Sequence, residues 1–120
     1  MKLLSILGLS LLLSYQASAQ QDVEQELLQS YTKSELNSIK KDQPERYRAL
    51  VYGLKNALEI VDFPKGKESK TDGNIDLPSG DYSFCDLGLK IKESNQYFKI
   101  NGTNKLLVVK SFHLLENELK

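Results

Sequence analysis

One cysteine and one histidine stand in a chain of 120 residues, and neither acid nor base is in excess. Each shortage removes a class of function. A lone Cys85 cannot form an internal disulfide, so packing alone must hold the fold. With a single His113 beside it, the usual nitrogen and sulfur ligands of a zinc site cannot be gathered in one chain without carboxylates. Lys+Arg and Asp+Glu both number 16. That balance argues against a dedicated nucleic-acid binder, which carries a clear basic surplus. After Leu13 no apolar run approaches the roughly 20 residues a membrane span needs. No phosphate-binding loop, nucleophile elbow or paired-carboxylate motif is present, so no cofactor and no metal is expected.

The N-terminus is the most specific segment. Lys2 supplies a positive start, and Leu3 to Leu13 form an apolar run interrupted by Ser5, Gly8 and Ser10. Ala17-Ser18-Ala19 then places small residues, Ala17 and Ala19, at the two positions a signal peptidase reads. This pattern predicts a cleaved Sec-type signal over residues 1–19 and a bacterial protein that works in the periplasm or is secreted. No cysteine follows the apolar run, so a lipoprotein anchor is not expected. Residues 20–120 then form a single small domain. Loss of Lys2 with the leader leaves it one acid in excess.

That domain divides into a helical half and a strand half. Residues 20–31 carry a weak amphipathic pattern and read as a short helix or a flexible arm. Thr32-Lys33-Ser34-Glu35 fits a capping box and opens a helix to about Lys41. Pro44 suits the first position of the next helix. Tyr47, Leu50, Val51, Leu54, Leu58 and Val61 then recur at steps of three and four, predicting a helix to about Val61 that Phe63-Pro64 stops. Gly53 inside it suggests close approach by another backbone.

Lys65 to Gly73 is polar and reads as a loop. Asn74 to Leu77 suits a short strand. From Tyr82 to Lys92 apolar and polar residues alternate, with Cys85, Leu87, Leu89 and Ile91 on one face, which predicts a half-buried strand. Gln96 to Ile100 and Lys105 to Ser111 are further strands, joined at the Asn101-Gly102 turn. The tail from Phe112 suits helix or strand equally. The expected architecture is α+β: N-terminal helices packed on one face of a small C-terminal antiparallel β-meander, in two layers.

Chemistry is sparse. Asp72-Gly73-Asn74-Ile75-Asp76 imitates the centre of a calcium loop, but Lys70 and Ser79 fall where acidic ligands belong, and Pro78 opposes an exiting helix. An Asp-Gly turn entering a strand accounts for it better. Asn101-Gly102-Thr103 matches a glycosylation sequon that the turn explains equally well. Lys90, Lys92, Lys99 and Lys110, with Tyr97 among them, are expected to share the outer sheet face. Such a face would hold an envelope protein or an acidic glycan; a plain solvated face with aggregation-blocking lysines is the competing reading. The leading expectation is a non-enzymatic binding module acting through this face or the Lys65–Gly73 loop. The alternative is a small hydrolase or thiol-dependent enzyme using Cys85 and His113, or unidentified carboxylates.

Overall fold

The computed structural model describes residues 22–63 and 71–120. The expected signal peptide, with Ala17 and Ala19, and most of the polar loop after Lys65 lie outside the described residues. The fold is α+β, with four helices and a four-stranded sheet among the described residues.

Helix α1 covers residues 22–27. Helix α2 (Lys33–Asp42) begins with the capping box the sequence predicts. The Glu35 N–H donates to Thr32 Oγ1 at 3.1 Å and the Thr32 N–H donates to Glu35 Oε1 at 3.0 Å, so two N–H groups the helix cannot satisfy are paired. Leu36 is the buried anchor of this helix. Lys40 meets Glu24 at 2.9 Å and ties α2 to α1. Helix α3 (Pro44–Asn56) has Pro44 in its first turn and buries Ala49, Leu50 and Gly53.

Helix α3 stops at Asn56, five residues short of the predicted end at Val61. The Ala57 N–H donates to the Gly53 carbonyl, and the Ala57 carbonyl accepts from the Lys110 N–H, each at 2.9 Å. The next residues form strand β1 (Leu58–Asp62) instead of helix. Leu58 and Val61 fit both periods. The β-branched pair Ile60-Val61 favours strand, and a partner strand supplies the ladder. Phe63-Pro64 therefore follows a strand.

The remaining strands are β2 (Gly73–Ile75), β3 (Gln96–Ile100) and β4 (Lys105–Val109). Their spatial order is β1-β4-β3-β2. The β1–β4 and β4–β3 pairs are antiparallel, while β2 runs parallel to β3. The sheet is thus mixed, which corrects the all-antiparallel meander. Strand β2 lies at the edge opposite β1, and its parallel pairing with β3 excludes a tight hairpin between the two. The chain turns at Asn101-Gly102 as expected, but of the two only Gly102, at φ +76°, takes a positive φ, and four residues separate β3 from β4. Leu106, Leu107, Val108 and Val109 are all buried, as a central strand requires.

A second correction concerns Tyr82 to Lys92, which forms no strand. Residues 84–88 make a turn. Asp86 Oδ2 accepts the Ser83 N–H at 2.8 Å, the Leu89 N–H donates to the Phe84 carbonyl at 2.9 Å, and Gly88 sits at φ +71°. Local carboxylate capping and a left-handed glycine thus outcompete the ladder. Phe84 and Cys85, adjacent in sequence, are both buried, which does not fit a half-buried strand with one wet face.

The tail resolves as helix α4 (Phe112–Leu119), with Ser111 Oγ accepting the Leu114 N–H at 3.2 Å as its cap. The core gathers Leu27, Tyr31, Leu36, Leu50, Phe84, Cys85, Ile91, Val109, Phe112 and Leu115. Each fully buried large side chain contributes about 1.5–3 kcal/mol. At Gly53 the close neighbours are side chains, not backbone: a β-carbon there would lie 3.3 Å from Leu115 Cδ1 and 3.5 Å from Phe84 Cε1. Among the described residues no helix is long and apolar enough to cross a membrane.

Candidate functional site

A groove of about 780 Å³ lies between α1, the second half of α3 and the segment 81–86. Val51 and Leu54 of α3 and Val23 of α1 give it apolar surface. Among the described residues Glu26, Asp81 and Asp86 line it with acid against one base, Lys55, and Tyr52 and Tyr82 add aromatic faces. Three contacts far apart in sequence hold its walls. Gln29 Nε2 donates to Asp86 Oδ1 at 3.3 Å. The Ile91 N–H donates to the Tyr31 hydroxyl at 2.9 Å. Tyr52 donates its hydroxyl to Glu118 Oε1 at 2.9 Å.

Electrostatics at the rim follow from these contacts. Glu118 accepts from Lys110 and Tyr52, and both bonds hold its carboxyl below the usual range. The same carboxylate raises the Tyr52 phenol. Burial pushes the Tyr31 phenol up to about 12.

Of the five residues expected to form one basic sheet face, only Tyr97 and Lys99 meet there. Register places them with Glu59, Val61, Leu106 and Val108. Lys90 belongs to no strand. Its Nζ lies 3.1 Å from Glu35 Oε2 and 5.2 Å from the centre of the Tyr31 ring, so it faces the helices. That bond helps lower the Glu35 carboxyl, after the larger effect of the Thr32 N–H. Lys92 is exposed beside α4, and its carbonyl accepts the Phe112 N–H at 3.0 Å. Lys110 is drawn to Glu118 at 2.9 Å and is the least exposed lysine of the set. The predicted face fails because Lys90 and Lys92 were placed on it by a strand that does not form.

Cys85 and His113 are not brought together. Cys85 is 2 % exposed, and burial pushes its thiol up to about 11, with the neighbouring Ser30 hydroxyl acting in the opposite sense. His113 is exposed on α4, where Nε2 lies 3.3 Å from Asn117 Nδ2. It lines a smaller depression of about 350 Å³ with Glu45, Arg48 and Glu116. A thiol held protonated in the core is not a nucleophile. The calcium-like segment is occupied by fold contacts: Asp72 Oδ2 accepts the Tyr97 N–H at 2.7 Å and Asp76 Oδ1 accepts from Asn101 Nδ2 at 2.9 Å.

Sequence reasoning missed the groove. Its two sides, residues 23–26 and 81–86, carry no shared motif, and only their docking on α3 makes a concavity. The one local signal was Asp86 three residues after Ser83, placed to cap the Ser83 N–H and overlooked in favour of strand alternation. No family model, no curated protein and no solved structure matches this chain.

Proposed function

We propose that this chain is a small exported, non-enzymatic binding module of the periplasm or cell envelope, and that its ligand is a segment of an envelope protein seated in the α1–α3 groove. The observation that carries this reading is the groove itself: about 780 Å³, part apolar, with three carboxylates against one lysine. Pockets of a few hundred Å³ or more with mostly apolar walls and a few placed polar groups are the usual binding geometry. The acidic bias selects a partner with apolar and basic side chains, and disfavours an acidic glycan at this site. A glycan would have to use Tyr97 and Lys99 on the sheet.

Export is supported by Lys2, the Leu3–Leu13 run and Ala17-Ser18-Ala19. The non-enzymatic reading is supported by the protonated, buried Cys85 thiol. In the same reading the helices form one layer over the sheet face that carries Leu58, Phe98 and Val109, since these residues pack into the helical core. The Tyr97 and Lys99 face is the other side of a two-layer arrangement.

Two measurements test the proposal. Protein recovered from a bacterial periplasm should begin at Gln20 or Gln21; intact Met1 on cytosolic protein overturns export. A fluorescein-labelled peptide of alternating lysine and leucine should bind with a rise in anisotropy, and Glu26→Lys with Asp81→Lys should weaken it at least tenfold. Equal binding by wild type and the double variant, or preference for a sulfated glycan, overturns the groove assignment.

A further inference from the structure

The two edges of the sheet differ. Strand β2 is three residues long and is flanked by Asp72 and Asp76, whose carboxylates are engaged with the neighbouring chain. A short, capped strand is a protected edge. Strand β1 is five residues long and carries no proline and no glycine.

The ladder shows which main-chain groups of β1 face outward. The Lys110 N–H donates to the Ala57 carbonyl, and the Phe63 N–H donates to the Asn104 carbonyl. In an antiparallel ladder, hydrogen-bonded positions alternate. Ala57, Glu59, Val61 and Phe63 therefore turn their groups to β4, and Leu58, Ile60 and Asp62 turn theirs away from the sheet. Among the described residues no hydrogen bond takes up these outward N–H and C=O groups. The Ile60 side chain is 49 % exposed, one of the few large apolar side chains left in water.

We infer that β1 is the seam of a symmetric, antiparallel pairing between two copies of this chain, with Ile60 on the two-fold axis. The sequence Leu58-Glu59-Ile60-Val61-Asp62 fits itself in the register centred on Ile60, whereas centring on Val61 sets Ile60 against Asp62 and leaves Leu58 without a partner in β1. With Ile60 opposite Ile60 of the second copy, Leu58 meets Asp62 and Glu59 meets Val61. All three outward-facing residues then exchange hydrogen bonds. No carboxylate opposes a carboxylate, and the two exposed isoleucines cover each other on one face. Sliding the register one step toward the N-terminus sets Glu59 against Glu59 and leaves Asp62 unpaired. Asp62 is already neutralised in part by Lys105 at 2.9 Å. Two-fold interfaces require this kind of self-complementarity. The pairing joins two sheets into one and goes beyond the groove reading, on which it does not depend.

Sedimentation equilibrium of the full chain, as recovered after expression, tests the inference. A concentration-dependent dimer is expected. Ile60→Pro removes an outward N–H without touching the β4 ladder. It should weaken the dimer at least tenfold with an unchanged far-UV spectrum. In a Cys85→Ala background, Ile60→Cys should cross-link on mild oxidation, because a hydrogen-bonded antiparallel pair has Cα atoms about 5.5 Å apart, within disulfide reach. Glu59→Cys, facing Val61 of the second copy, should cross-link at least tenfold more slowly. A monomer up to about 1 mM overturns the seam. So does a dimer unmoved by Ile60→Pro, or equal cross-linking at 59 and 60. If Ile60→Pro does not fold, the two cysteine variants decide.

Discussion

The Ile91 N–H donates to the Tyr31 hydroxyl at 2.9 Å, joining the connection between α1 and α2 to a segment sixty residues later. Both residues are buried, Tyr31 at 6 % and Ile91 at 4 % exposure. This bond holds the turn at 84–88 against the helices and with it one wall of the groove.

Tyr31→Phe keeps the ring and removes the acceptor. The Ile91 N–H is then buried without a partner, which costs about 1–3 kcal/mol. Urea unfolding should show a lower midpoint at constant slope. The variant should also change the alkaline limb. The Tyr31 phenol is raised from 10.0 to about 12 in the folded chain, so the folded state holds this proton more tightly than the unfolded one. Its contribution is full below pH 10 and is lost as pH rises from 10 through 12. Wild type minus Tyr31→Phe should therefore fall in that window. A difference independent of pH rules out the burial account.

Ser83 behaves in the opposite sense. It is 3 % exposed, and its hydroxyl has no hydrogen-bond partner among the described residues. Its N–H, by contrast, is paired with Asp86. Ser83→Ala removes an unpaired polar atom and leaves the backbone bond intact, so it should stabilise by up to about 1 kcal/mol. Thermal denaturation checks this, and a loss of more than that amount would show the hydroxyl to be engaged.

Cys85 should resist labelling in the folded protein. At pH 8 a disulfide-exchange reagent should react at the unfolding rate, and at the rate of a free thiol once urea unfolds the chain. The thiol is raised from 9.0 to about 11 by burial, so its share of stability is present below pH 9 and is lost as pH climbs from 9 through 11. Cys85→Ala should lack that part of the decline. Rapid labelling without denaturant would place the thiol outside the core.

Gly53 sets the distance between α3 and α4. Gly53→Ala gains up to about 1 kcal/mol of helix propensity. It also presses a methyl to 3.3 Å from Leu115 Cδ1 and 3.4 Å from Ala57 Cβ. The two effects oppose, and the net change should stay within about 0.5 kcal/mol. Gly53→Val adds bulk with no further propensity gain and should cost about 1–3 kcal/mol by overpacking. Calorimetric melting of both variants distinguishes a tight crossing from an open one.

Local devices were legible before any tertiary information. Thr32 and Glu35 satisfy each other three residues apart, Pro44 needs no N–H in a first turn, and Gly102 takes a backbone angle that side chains disfavour. The Leu106–Val109 run demanded burial on both faces whatever lay above it. Each is decided by atoms within a few residues, so composition and spacing determine it. The fate of Leu58 to Asp62 was not decided that way. Its apolar spacing suits helix and strand alike, and the Lys105–Val109 ladder, over forty residues distant, selects strand. Residues 83–89 alternate like a strand, but Phe84 gains more by entering the core beside Cys85 than by keeping the pleat. The parallel seat of β2, the dispersal of Lys90 and Lys110 to carboxylates on helices, and the groove all depend on contacts between distant segments. Sequence alone determined what closes within a turn of chain; burial and pairing across the fold decided the rest, because those energies exist only once the partners meet.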